Sequence, residues 1–205
     1  QDYDRIGNLL TVEGPLDNVS GNVIDVKGHV IRSLDAESNV TSFSYDDEGN
    51  KLTEKDPEGH TTRYTYDDNG NVLTESRVRD GVTEVTTYTY DTRDRLIETE
   101  DATGNITTTE YDLAGNEVAM VDAQGRRTEY AYDAYTRLTL TTYPDGTTAS
   151  NTYDVQGNLV TETDRLGRTT QHSYDPLDRL VQTTWPDGTS SHTEYDVVGR
   201  VTAEI

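Results

Sequence analysis

The sequence predicts an all-β fold: tandem β-hairpins laid side by side in one long antiparallel sheet that coils or curves. Three observations carry this. A Tyr-Asp pair recurs every 21 residues, with one step of 24. Between the pairs, Thr, Tyr and Val alternate with polar residues, the period-two pattern of a half-wet strand. Each strand-like run is bounded by an Asp-x-x-Gly cluster, in which Asp caps a tight turn and Gly takes the left-handed backbone position. A fixed period of this length means that each unit buries its apolar face only against its neighbours.

The pairs are Tyr3-Asp4, Tyr45-Asp46, Tyr66-Asp67, Tyr90-Asp91, Tyr111-Asp112, Tyr132-Asp133, Tyr153-Asp154, Tyr174-Asp175 and Tyr195-Asp196, with Ile24-Asp25 as a degenerate copy. This makes residues 1–205 one continuous body of ten units. In the unit at 61–76, Thr61-Thr62-Arg63-Tyr64-Thr65-Tyr66 reads as a strand, Asp67-Asp68-Asn69-Gly70 as a turn and Asn71-Val72-Leu73-Thr74-Glu75-Ser76 as the return strand. A second turn follows 14 residues after the Tyr, as in Asp56-Pro57-Glu58-Gly59 or Asp122-Ala123-Gln124-Gly125. Tyr143 and Trp185 open two of these far turns, each before Pro-Asp-Gly. The far turns are expected to be type I with a bulge. Twenty short strands at about 4.8 Å each would span about 95 Å if flat, and strand twist forbids flatness.

Apolar residues six or seven positions after each Tyr, such as Val72, Leu73, Leu159 and Val160, are expected to form a ladder with the Tyr rows on one face, the Tyr set pointing inward. The long step places three extra residues near Arg77-Val78-Arg79-Asp80-Gly81 and is read as one enlarged turn. Gly70, Gly115, Gly157 and Gly199 hold the left-handed slot of the Tyr-Asp turn; Asp94, Thr136 and Asp178 hold it elsewhere, with Arg95, Arg137 and Arg179 next in line. Those arginines are expected to pair with a neighbouring turn carboxylate. Residues 11–23 and 34–41 fit worst and predict irregular copies.

Composition narrows function. The net charge of −22 opposes nucleic acid and anionic membrane partners. Hydrophobic residues make up 31% and mean hydropathy is −0.82, too polar for a thick core, yet the register of Tyr, Leu and Val excludes disorder. The acidic surface is read as a solubility device, with a salty or calcium-rich medium as the alternative. There is no cysteine and no apolar run long enough for a membrane span. No signal peptide is visible and the chain starts at Gln1, so it is read as a piece of a longer protein. Three Asn-x-Ser/Thr sequons (Asn18, Asn39, Asn105) matter only in a eukaryotic secretory setting.

The run Tyr64-x-Tyr66-Asp67-x-x-Gly70-Asn71-x-Leu73, with Asp-x-x-Gly at the far turn, resembles the YD repeat of the Rhs family: bacterial Rhs proteins, the B and C components of Tc toxins, wall-associated proteins and teneurins. The resemblance covers essentially the whole chain. It implies a secreted bacterial protein whose hairpins build a shell wall around a toxin or effector segment of the same chain. Such proteins often end in a self-cleaving core segment, which is not found here; Asp56-Pro57-Glu58-Gly59 matches its Asp-Pro-x-Gly signature only by falling on an ordinary far turn.

No catalytic constellation, cofactor or metal site is expected. An enzyme needs one asymmetric arrangement, whereas this chain repeats everything, and the four histidines (His29, His60, His172, His192) are scattered and read as solvated. Asp67-x-Asn69-x-Asn71 lacks the Gly and Glu positions of a calcium loop. The alternative function is a glycan- or cell-surface-binding module that stacks ligands on aromatic rows, with Tyr88, Tyr90, Tyr130, Tyr132, Tyr143 and Trp185 as candidates. Free sheet edges predict some edge-to-edge association of the fragment.

Overall fold

The computed structural model describes the backbone at residues 2–3, 9–13 and 19–205, and side chains from Ser20 onward. The first Tyr-Asp turn, the Leu9-Leu10 side chains and Asn18 therefore lie outside the described residues. Every regular element among those described is a strand.

Two units are resolved, Gln1–Thr107 and Thr108–Ile205, with the border inside one strand. The first unit holds β1 (Asp2–Tyr3), β2 (Leu9–Glu13), β3 (Val19–Ile24), β4 (Val30–Leu34), β5 (Val40–Tyr45), β6 (Lys51–Lys55), β7 (Thr61–Tyr66), β8 (Val72–Arg79), β9 (Val82–Tyr90) and β10 (Leu96–Glu100). After the bordering β11 (Ile106–Tyr111), the second unit holds β12 (Glu117–Val121), β13 (Arg127–Tyr132), β14 (Leu138–Thr142), β15 (Thr148–Tyr153), β16 (Leu159–Thr163), β17 (Thr169–Tyr174), β18 (Leu180–Thr184), β19 (Ser190–Tyr195) and β20 (Val201–Glu204). Within each unit, every strand pairs antiparallel with its sequence neighbours, as in β7–β8 and β16–β17. The all-β tandem-hairpin prediction is borne out.

The turns follow from the backbone. In each five-residue turn from Asp25 to Asp196, the first N–H donates to the fifth carbonyl and the fourth N–H donates to the first carbonyl, as Asp67 N–H to Asn71 O (3.0 Å) and Gly70 N–H to Asp67 O (3.1 Å). That is a type I turn whose fourth residue must adopt positive φ. Gly70 does so at 88°. Ser38 (67°), Asp94 (59°), Thr136 (61°) and Asp178 (59°) do so without glycine's freedom. The stretch at 34–41 is thus a regular copy, contrary to expectation: Ser38 takes the left-handed slot, and Asp35 N–H donates to Asn39 O at 3.1 Å. Strand β3 also pairs normally with β2 and β4. Thr136 is the residue least suited to that slot, because its branched Cβ crowds the backbone. Thr136→Gly is expected to raise the unfolding free energy by about 1 kcal/mol, read from a denaturant titration.

The 24-residue step differs from the reading of an enlarged turn. The turn has shrunk: Asp80 (φ 51°) and Gly81 (φ 79°) form a two-residue connection between Arg79 and Val82, which face each other. Two left-handed residues in a row are the type I′ geometry that matches strand twist. The extra length went into the strands, which is why β8 has 8 residues and β9 has 9.

Each Tyr-Asp hairpin contains one β-bulge beside the Tyr. Tyr66 faces Val72 and Thr65 faces Thr74, leaving Leu73 as the extra residue; Tyr153 faces Leu159 and Thr152 faces Thr161, leaving Val160. This explains the apolar doublets Val72-Leu73, Leu96-Ile97, Leu159-Val160 and Leu180-Val181, which break strict alternation. A bulge adds local twist and bend, here at the same point of every copy. The pairs joined by far turns, such as β16–β17, run in unbroken register.

The sheet is nearly coreless. Only Ala119 (0% exposed) and Thr141 (8%) are buried among the described residues. Ala119 sits between Glu110 and Glu129 on neighbouring strands. Arg127 bridges that gap, donating to both Glu110 oxygens (2.5 and 2.9 Å) and to Glu129 Oε1 (2.9 Å).

Candidate functional site

The repeated chemistry lies at the Tyr-Asp turns. Aspartate Oδ1 accepts backbone N–H groups: Asp154 takes those of Gln156 (3.0 Å), Gly157 (2.8 Å) and Asn158 (2.8 Å). Oδ2 accepts the side chain four residues on, Asn158 Nδ2 at 3.0 Å or, at Asp133, Arg137 Nε at 2.7 Å. These donors hold the carboxyls below their usual range. The Asn71 amide leads at Asp67 and the Asn116 amide at Asp112. The Arg95 guanidinium takes Asp91 down to about 2. The expected row of turn caps is what the described copies contain.

Copies are clipped together in two ways. The Tyr of one copy donates its hydroxyl to a backbone carbonyl of the previous copy, 15 residues back: Tyr45 to Val30 (2.9 Å), Tyr66 to Lys51 (2.7 Å), Tyr153 to Leu138 (3.0 Å), Tyr174 to Leu159 (3.0 Å) and Tyr195 to Leu180 (3.0 Å). Each acceptor is the residue that faces the previous Tyr position across its bulge. The clip therefore ties one copy's ring to the distorted point of the preceding hairpin.

The second clip runs along the turns. Asn71 Nδ2 donates to Asp94 Oδ1 (2.8 Å) and Asn158 Nδ2 to Asp178 Oδ1 (2.9 Å), each in the following copy. Asp94 and Asp178 thus combine the strained turn position with an acceptor that Gly lacks. Arg137 Nη1 donates to Asp154 O at 3.2 Å, and the guanidinium lies 4.6 Å from the Tyr153 ring centre. Arg179 repeats this on Asp196 O (3.2 Å) and Tyr195 (4.5 Å). The expected pairing of Arg95, Arg137 and Arg179 with a neighbouring turn's carboxylate is corrected: each pairs with its own turn's Asp, and Arg137 and Arg179 reach the neighbour through a backbone carbonyl and an aromatic face.

Among the proposed stacking residues, Tyr88 and Tyr130 are half-buried within β9 and β13, and burial raises both phenols, as it does those of Tyr66, Tyr90, Tyr132 and Tyr174. Tyr143 and Trp185 open far turns on either side of the Asp164–Arg168 turn. Beside them lie open depressions of about 590 and 730 Å³ that share Glu162, Asp164 and Arg168. The Arg165 guanidinium stacks on Tyr143 at 4.0 Å. Two histidines are less free than their scatter suggested: His29 Nδ1 and His60 Nδ1 lie 3.1 and 3.0 Å from Asp25 Oδ2 and Asp56 Oδ2. The sequence identifies them only through their place four residues after a turn Asp.

No helix among the described residues is long and apolar enough to cross a membrane. Comparison with known proteins follows the repeat. A search of curated proteins gives no match. Among solved structures, the crystal structure of TcdB2-TccC3 is similar with a TM-score of 0.61 and 15% identity, over 97% of this chain and 14% of that one. TcdB2-TccC3 without its hypervariable C-terminal region gives 0.60 and 15%, over 97% and 13%. At that identity the likeness is one of fold, and this chain spans about an eighth of those proteins. The RHS Repeat family matches residues 25–60, 45–83, 90–126, 111–148 and 153–190, pairs of adjacent copies that together cover well over half of the sequence. A chain whose Tyr-Asp hairpins repeat in this register belongs to the RHS repeat family.

Proposed function

We propose that this chain is a non-catalytic length of shell wall from a secreted bacterial Rhs/YD-repeat protein, one continuous body that encloses or presents a toxin or effector segment of the same protein. The observation that carries the reading is the copy-to-copy clip. A sheet this poor in core is held by repeated polar ties between neighbours, which suits a wall with two wet faces better than a compact enzyme. The fold-likeness to TcdB2-TccC3 supports it. In this reading the Tyr rows face the enclosed side.

Limited proteolysis of the full-length protein tests the proposal. The enclosed segment is expected to resist cleavage until the wall melts, then to be cut at the wall's own melting temperature. Cleavage of that segment in the native protein as fast as in isolation contradicts enclosure.

A second reading, a glycan-binding face, is favoured by one observation: the paired depressions beside Tyr143 and Trp185. An oligosaccharide array probed with the wild type and with Trp185→Ala tests it, and absence of any Trp185-dependent signal removes it.

A further inference from the structure

The far turn Asp56-Pro57-Glu58-Gly59-His60 carries a feature that a shell wall does not need. The turn frame brings together the side chains at its first, third and fifth positions. Sister turns show this directly: Thr103 Oγ1 donates to Asp101 Oδ1 (2.7 Å) while Asn105 Nδ2 donates to Thr103 Oγ1 (2.6 Å). Likewise Arg126 Nη2 donates to Gln124 Oε1 (3.1 Å) while its Nε donates to Asp122 Oδ2 (2.6 Å). Most turns place Asn or Arg at the fifth position, which offers an amide or a cation. At 56–60 the three converging residues are Asp, Glu and His, and one ligand atom from each lies within 4.8 Å of the others.

We propose that Asp56, Glu58 and His60 form a surface site for a divalent metal of zinc type, independent of the wall reading. One imidazole nitrogen and two carboxylates are a ligand set for a borderline transition ion rather than for calcium or magnesium, which favour all-oxygen shells. The 3.0 Å between Asp56 Oδ2 and His60 Nδ1 is roughly the separation of two adjacent ligands on a metal with bonds of about 2.1 Å. A neutral ring yields that nitrogen's lone pair by moving its proton from Nδ1 to Nε2. Glu58 is exposed and closes the third side. The guanidinium of Arg77 already sits on Asp56 Oδ2 at 2.8 Å, so the carboxylate holds a cation there and the metal competes with it.

The chain contains its own comparison. Asp25 and His29 repeat the same geometry, with Nδ1 and Oδ2 3.1 Å apart, but the third position is Lys27, whose ammonium turns away to Asp47 Oδ1 at 3.1 Å. That turn has two of the three ligands and a cation in place of the third.

Calorimetric titration of the full chain with zinc chloride in a non-chelating buffer tests the site. One saturable site is expected. His60→Ala and Glu58→Gln each weaken it by more than about tenfold, with the strand signal in circular dichroism unchanged. Arg77→Ala tightens binding by removing the competing cation, and Lys27→Glu in the wild type raises the stoichiometry from one to two. Absence of saturable binding, or binding that survives both His60→Ala and Glu58→Gln, overturns the site. Failure of Lys27→Glu to add a second ion overturns the claim that the turn frame assembles it.

Discussion

A fourfold Tyr66→Phe, Tyr153→Phe, Tyr174→Phe and Tyr195→Phe variant is expected to unfold about 4 kcal/mol more easily than the wild type, at about 1 kcal/mol for each lost hydroxyl bond. Each ring stays in place and keeps its apolar contacts; only the tie to the previous copy's carbonyl goes. In a repeat array, stability is a sum of intrinsic and nearest-neighbour contributions, so bonds in separate interfaces add to a good approximation. Against a typical total of about 5–15 kcal/mol, four such losses are large. Tyr88→Phe is the control, since its hydroxyl makes no such bond among the described residues. Urea titration of the single, double and fourfold variants measures the sum. Loss equal to that of the control would show that the hydroxyls tie nothing.

The second large effect is acid unfolding. Hydrogen bonding to the ionised form lowers the turn carboxyls, with the Asn amide leading at Asp46, Asp67 and Asp112 and the Arg side chain at Asp133, Asp164 and Asp175. A group whose folded pKa lies below its unfolded value stabilises the fold above the unfolded value, near 3.9 for Asp. That contribution is lost as pH falls through the folded value. For Asp91, whose folded value is about 2, the window runs from about pH 4 down to about pH 2. The same loss occurs in copy after copy, so the transition is expected to be steep, with full stability retained at pH 5. Asp91→Asn keeps an Oδ1 acceptor for the backbone N–H groups but removes the ion pair with Arg95. Its stability is therefore lower at neutral pH and less sensitive to acid. Circular dichroism melts between pH 2 and pH 7 measure both. A flat stability profile across that range would contradict the cap assignment.

The parts of this fold legible in the sequence are those the backbone demands. A type I turn with a bulge requires a left-handed fourth residue, so Gly at 70, 115, 157 and 199 marked the turns, and Asp94, Thr136 and Asp178 could be placed in the same slot before any coordinates. The Asp caps were legible for the same reason. The bulge was present as a broken alternation, Val72-Leu73 or Leu159-Val160, and its meaning lay in pairing register, which one strand's sequence does not contain. The Asp80-Gly81 connection carried a type I′ signal that the longer interval obscured. The Tyr clip left no trace, because its acceptor is a backbone carbonyl, common to every residue type. The Arg137–Asp133 pair, four residues apart on one turn, was within reach of turn geometry, but its second reach to Asp154 O needs the distance between copies.

The convergence of Asp56, Glu58 and His60 is not legible in the sequence for a related reason. Read singly, a scattered histidine is a surface residue. The significance of positions one, three and five appears only when sister turns show those side chains in contact.

Residue-resolved amide hydrogen exchange tests the central claim most directly. If the Tyr-to-Tyr interval is a bulged hairpin clipped to its neighbours, the N–H groups of Asp67, Asp112, Asp154 and Asp196, which donate to the fifth residue of their turns at 2.9–3.0 Å, exchange slowly, and the protection pattern repeats with the 21-residue period through both units. Protection confined to blocks whose borders ignore that period would contradict it.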